Sequence, residues 1–154
     1  MIPFGTLEMG RRKTRFTKDE QVTLMSLWCI ARSPLIFGGD LTKLDAFTLS
    51  LLTNDEVIAV NQASHGNHEL FEHDGLIAWA AEVPGSKDRY LALFNARDGR
   101  APEPVAVTLS DLGLSGACRV RDLWQKKDVG VAHGTLSRPV PPHGAVLLRV
   151  TPSF

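Results

Sequence analysis

Gly38-Gly39-Asp40 closes the apolar run Ser33-Pro34-Leu35-Ile36-Phe37 and leaves a carboxylate where a barrel strand delivers functional groups to its C-terminal rim. A carboxylate there could touch a substrate. The same tripeptide is also an ordinary turn, whose aspartate hydrogen-bonds the backbone that follows. Cleavage of a glycosidic bond needs two carboxyl groups, one as nucleophile or base and one held protonated as acid. Asp40, Asp45, Asp55 and Glu56 cluster in the chain. However, Asp45, Asp55 and Glu56 fall at expected helix starts, where negative charge offsets the helix dipole, and capping accounts for them more simply.

The other candidates are weaker. His65, His68 and His73 with Asp74 suggest a metal site, yet the spacing fits no helical or finger arrangement, and the segment reads as a loop running into a hairpin. Ser33, Ser64 and Ser137 lack the Gly-x-Ser-x-Gly elbow, and Gly38-Gly39 is not followed by a phosphate-loop ending. Trp79, Trp124, Tyr90 and Phe94 could form a sugar-stacking platform, although aromatics on alternating strands more often belong to a core. Trp28 reads as core. Residue by residue, the chain carries no convincing catalytic set.

Composition narrows the classes. Lysine plus arginine equal aspartate plus glutamate at 17 each, so no net field favours nucleic acid, an acidic membrane or a polyanion. Arg11, Arg12, Lys13 and Arg15 form the one local excess and read as a solvated loop. Cys29 and Cys118 match no zinc or redox spacing and are expected to be buried small hydrophobes. No apolar run approaches the roughly 20 residues of a membrane span. The first residues, MIPFGTLEMGRRK, lack the pattern of a secretory signal, and cellular location stays open.

Two periodicities organise the 154 residues. Thr17-Lys18-Asp19-Glu20 reads as a capping box, and Val22, Met25 and Cys29, widened by Leu24, Leu27, Trp28 and Ala31, predict a helix buried on more than one side. Ser33-Pro34 ends it. Leu35, Ile36 and Phe37 predict a strand buried on both faces. Asp45 is expected to cap a short helix carrying Leu49, Leu51 and Leu52, and Thr53-Asn54-Asp55-Glu56 repeats the capping-box pattern. Beyond Gln62 the period becomes two, through Ile77, Trp79, Ala81 and Val83, then Tyr90, Ala92 and Phe94, then Val105, Val107 and Leu109, and finally Val146, Leu148 and Val150. Turn signals between them are spaced as in an antiparallel meander or sandwich.

The order of the motifs FTKDEQVTLMSLWCIARSPLIFGGDL, LLTNDEVIAVNQ, VRDLWQKKDVG and VPPHGAVLLRV resembles the C-terminal portion of the α-galactosidases of glycoside hydrolase family 27. The resemblance implies an α+β chain: residues 1–62 as the last β/α units of a (β/α)8 barrel, and residues 63–154 as an antiparallel β-sandwich. A complete barrel needs about 250 residues and does not fit. Members cleave terminal α-galactosyl groups, or the related N-acetyl sugar, with retention, and the resemblance implies no metal or organic cofactor. They place an Asp-Pro-Asp-Met stretch at the end of the seventh strand, and MIPFG matches from its methionine. Met1 is therefore the one substrate contact that carries over, and the catalytic aspartates would lie upstream of it.

The expected partner is an α-galactoside or related sugar in a whole enzyme, with neither nucleic acid nor membrane. A free-standing carbohydrate-binding or structural β-sandwich module is the alternative. One barrel strand with its helices exposes strand edges and apolar faces. Residues 1–62 are thus expected to pack on the β half, to self-associate, or to stay poorly ordered.

Overall fold

The computed structural model describes residues 1–153. The chain opens with Ile2 forming a parallel bridge to Phe37. The Ile2 amide donates to the Ile36 carbonyl at 2.7 Å, and the Gly38 amide donates to the Ile2 carbonyl at 2.9 Å. A small antiparallel hairpin follows, β1 (Thr6–Leu7) and β2 (Arg12–Lys13). Three helices come next: α1 (Lys18–Ile30), α2 (Ala46–Leu52) and α3 (Asp55–Ala63).

The helix starts follow their caps. Thr17 and Glu20 form the expected capping box, with the Glu20 amide 3.2 Å from the Thr17 hydroxyl and the Thr17 amide 2.7 Å from the Glu20 carboxylate. Asp45 caps α2 through the Thr48 amide at 2.8 Å. At α3 the cap is Asn54, one residue later than the repeated capping-box pattern indicates, because Thr53 is still completing the last turn of α2.

From His65 onward the chain is sheet: β3 (His65–His73), β4 (Leu76–Glu82), β5 (Arg89–Asn95), β6 (Glu103–Thr108), β7 (Ala117–Asp122), β8 (Lys127–His133), β9 (Thr135–Val140) and β10 (Ala145–Pro152). Their order is β3-β4-β5-β10-β7-β8-β9-β6, antiparallel throughout. β6, at the far end of the ladder, packs back across β4 and β5, so the sheet folds over itself as a sandwich. Asp74 and Gly75 turn β3 into β4 with φ of 48° and 76°, the positive pair that a type I′ hairpin turn requires.

Two apolar clusters result. The first fills the sandwich with Leu91, Leu93, Val105, Val107, Cys118, Leu136, Leu148 and Val150. The second lies on the outer face of β4, β5 and β10, where Ala81, Tyr90, Ala92, Phe94 and Leu147 meet Ile2, Phe4, Met25, Cys29, Ile30, Leu51 and Val57. The alternation through Trp79, Ala81, Tyr90, Ala92 and Phe94 thus marks the helix-facing side, and the intervening Ala78, Ala80, Leu91 and Leu93 form the other buried side. Both cysteines are free and buried. Burial pushes the Cys29 thiol up to about 12, so it stays protonated at neutral pH.

Two expectations need correction. Leu35-Ile36-Phe37 is not a strand buried on both faces: it makes a single bridge, and Ile36 is 59% exposed. The segment from His65 to His73 is strand β3 rather than a loop. Register shifts between His65 and His68 and between Glu69 and Phe71 break its alternation, which hides it from a period-two reading.

Polar contacts lock the helices to the sheet. The buried Asn54 side chain accepts from the Val57 amide at 3.2 Å and donates to the Leu123 carbonyl at 2.9 Å. Trp124 donates its ring N–H to the Ser26 hydroxyl at 2.8 Å. Glu56 accepts from Arg121 Nη2 at 2.7 Å and Nε at 2.8 Å, and Lys126 pairs with Asp55. Within the sheet, Asp88 accepts from Arg149 at 2.6 Å and Thr151 at 2.9 Å.

Met25 is 1% exposed at the helix–sheet seam. Met25→Ala should cost about 2–5 kcal/mol in urea unfolding. Helical circular dichroism and tryptophan fluorescence should still report one shared transition, and two separated transitions would show that the layers unfold independently. For Asp88, burial opposes ionisation, but hydrogen bonds from Arg149, Thr151 and Ser86 outweigh it and hold the carboxyl below its usual range. Its stabilisation is therefore present above about pH 4 and fades as pH falls through the lowered folded value. Asp88→Asn should cost roughly 1–3 kcal/mol at pH 7. The gap to the parent should narrow in acid, and a gap independent of pH would refute the assignment.

Candidate functional site

The two segments joined at Ile2 and Phe37 run parallel, so their carboxyl ends lie together, which is the end where barrel folds gather functional groups. Steric demand shapes this rim. A Cβ on Gly38 would collide with the Met1 thioether, and one on Gly39 would collide with the Phe4 carbonyl and the Phe37 ring. Gly38-Gly39 is therefore a close-approach element, letting the Met1 side chain and the Phe4 backbone lie against the second segment. Met1 itself is 75% exposed.

Asp40 follows directly and is tied down. Its amide donates to the Thr6 carbonyl at 2.8 Å. Its carboxylate accepts from the Thr42 hydroxyl at 2.6 Å and the Thr42 amide at 2.9 Å, capping the 3₁₀ turn Leu41–Lys43. Those bonds, the hydroxyl foremost, hold its pKa below the usual carboxylate value. The Asp45 carboxyl is likewise lowered, first by the Thr48 amide. Glu8, the other carboxylate of the rim segments, pairs with Arg12. Asp55 and Glu56 lie in the first turn of α3 and are engaged by Lys126 and Arg121. The carboxylates that cluster in sequence thus serve as caps and clamps.

The remaining candidates separate in space. His65 lies 3.3 Å from Glu82, and the His68 ring meets the Gly66 carbonyl at 2.7 Å. Among the described residues no group of three or more histidine, cysteine or acidic side chains is placed to hold a metal ion. No helix among them is long and apolar enough to cross a membrane. The Ser64 hydroxyl donates to the Val60 carbonyl at 2.5 Å and accepts from the Asn67 side-chain amide at 2.8 Å. Tyr90 and Phe94 are buried under the helices, and Trp124 is held by Ser26. Trp79 borders an apolar groove of about 510 Å³ between α1 and β4, with Phe16, Leu24, Leu27 and Ile77.

Sequence reasoning missed the partner of Glu56. Arg121 lies 65 residues later, and no local pattern pairs the two. The signal present was Asp122-Leu123-Trp124: Asp122 accepts from the Gln125 amide at 2.9 Å, Leu123 receives Asn54, and Trp124 reaches Ser26.

Gly39→Ala tests the close approach. A methyl group must displace the Phe4 backbone, so overpacking should cost about 1–3 kcal/mol and loosen the Asp40–Thr6 bond. Amide exchange at Asp40 should accelerate, and unchanged stability and exchange would show that the segments are not in tight contact.

Comparison with known proteins places this geometry. The family profile described as the alpha galactosidase C-terminal beta sandwich domain matches residues 73–150, and that described as alpha galactosidase A matches residues 12–63. Alpha-galactosidase 2 of Arabidopsis thaliana is 33% identical over 139 residues, covering 88% of this chain and 34% of its own length. The alpha-galactosidase of Coffea arabica is 32% identical over 140 residues, covering 88% and 36%. The chain thus spans about a third of the length of these curated relatives.

Among solved structures, a family 27 β-L-arabinopyranosidase from Geobacillus stearothermophilus superposes with a TM-score of 0.92 at 37% identity, over 99% of this chain and 36% of that one. Alpha-galactosidase I from Mortierella vinacea superposes at 0.82 with 26% identity, over 96% and 38%. The two profiles fall in order on the helical segment and the sandwich described above. The chain belongs to the α-galactosidase family, glycoside hydrolase family 27, and corresponds to its C-terminal portion.

Proposed function

We propose that this chain forms the closing part of a retaining glycoside hydrolase that removes a terminal sugar of galacto configuration, and that it does not turn over substrate by itself. On this reading residues 1–62 complete a barrel and residues 63–154 form the sandwich that supports it. The reaction of the whole enzyme is a double displacement by two carboxyl groups about 5–5.5 Å apart. The supporting observation is the state of the rim carboxylates: Glu8, Asp40 and Asp45 are each engaged within the chain, and the latter two are held ionised. A general acid must instead keep its proton near neutral pH. Met1, exposed and lying against Gly38, is the proposed sugar contact.

The relatives' names bracket the sugar. α-D-Galactose and β-L-arabinopyranose share their ring configuration and differ at the hydroxymethyl group, so either fits a rim that offers a thioether contact. The purified chain should leave chromogenic α-galactoside and β-L-arabinopyranoside intact. Fused behind the part of the Geobacillus relative that precedes the matched region, it should hydrolyse at least one of them. Met1→Ala in that chimera should lower kcat/KM about tenfold, roughly 1.4 kcal/mol of transition-state binding. Turnover by the chain alone would overturn the reading, as would a folded but inactive chimera.

A further inference from the structure

The rim carries a hairpin whose basic side chains the chemistry above does not use. β1 and β2 pair Thr6 with Lys13 and Leu7 with Arg12. This hairpin is stitched to the strand ends: Asp40 donates to the Thr6 carbonyl at 2.8 Å, Thr14 donates to the Gly5 carbonyl at 2.8 Å, and the Thr6 hydroxyl donates to the Lys43 carbonyl at 3.3 Å. Residues 8–15 hold four cations, Arg11, Arg12, Lys13 and Arg15, against one carboxylate, Glu8. Lys43 joins them, since a Cβ on Gly10 would strike its ammonium group.

Compensation there is incomplete in a chain whose formal charge is zero. Glu8 is taken by Arg12. Asp40 lies 3.9 Å from the Lys43 nitrogen, and Lys13 acts electrostatically on Asp45. Among the described residues, the side chains of Arg11 and Arg15 make no hydrogen bond or ion pair, and all four hairpin cations are exposed. Exposed cations held in water impose no strong geometry, but they raise the local concentration of anions within about 8 Å at physiological salt.

Resting on the sugar-facing rim proposed above, we infer that the hairpin binds an anionic carbohydrate: a glycoside bearing carboxylate or sulfate groups that meet Arg11, Lys13 and Arg15. Position favours a glycan over nucleic acid. The excess is confined to one short hairpin at the strand ends, whereas nucleic-acid binding draws on a broad basic face with many phosphate contacts.

The test is affinity electrophoresis of the 154-residue chain in polygalacturonate and in its fully methyl-esterified, uncharged counterpart, at low and physiological ionic strength. Polygalacturonate should retard the chain and the ester should not. The triple variant Arg11→Gln, Lys13→Gln, Arg15→Gln should bind polygalacturonate about tenfold more weakly, near 1.4 kcal/mol. Arg100→Gln, Arg119→Gln, Lys127→Gln removes the same charge from exposed positions elsewhere and should change binding less than about twofold. Equal loss in both triples, equal retardation by the ester, or no retardation by polygalacturonate overturns the inference. So does duplex DNA bound as tightly and with the same dependence on the hairpin triple. These readouts need no catalysis, so an active chimera with an indifferent hairpin sinks this inference alone.

Discussion

Strands β4, β5 and β10 are apolar on both faces, and that constraint governs the chain. A sheet with one wet face can stand alone, but one buried on both sides needs two covers. The folded-back β6 supplies one, and the helical layer with Ile2 and Phe4 supplies the other. Ordering of the first 63 residues therefore follows from the sheet. Tyr90, Ala92, Phe94 and Leu147 would meet water without α1, and Met25, Cys29 and Ile30 would do so without the sheet. Apolar contact alone permits sliding, and the buried Asn54–Leu123 bond with the Trp124–Ser26 bond removes that freedom.

The same attachment explains how so small a piece of a barrel keeps its shape. Two segments joined by one bridge have little ladder of their own, and Met1, Ile36 and Leu41 remain exposed along them. They are held from behind, through Ile2 and Phe4 in the seam. The carboxylates of these segments are engaged locally. Asp40 and Asp45 are shifted toward ionisation and Cys29 away from it, each opposite to what an acid or a thiolate nucleophile needs. Local hydrogen bonding serves structure here.

What could be read from the sequence follows from how local each feature is. The Thr17–Glu20 box and the Asp45 cap are contacts across three residues, so the pattern contains the whole interaction. Alternation revealed β4, β5, β6 and β10 because their apolar residues recur without interruption. It failed for β3, where bulges reset the phase, and for β8, where Ala132 alone is buried. The apolar triplet at Leu35 misled because composition records affinity for a core and not whether neighbours supply one. Asp40 read correctly as a turn, since Thr42 lies two residues away. The Met1–Gly38 contact and the Glu56–Arg121 clamp join distant segments, and no single window holds both partners. The family resemblance supplied their neighbourhood, but the contacts required coordinates.

Charge is arranged by the same logic. Arg121 and Arg149 stand directly opposite on β7 and β10, a register that repels like charges unless each is answered. Glu56 and Asp128 answer Arg121, and Asp88 answers Arg149. One of these anions, Glu56, is delivered by α3, so the sheet's positive pair also selects where that helix sits. Arg121 and Arg149 are partly desolvated, so leaving either unmatched would cost stability. Arg11 and Arg15 are exposed, so leaving them unmatched costs the fold little. A chain of zero formal charge can thus retain uncompensated positive charge on one exposed hairpin at little cost to its stability.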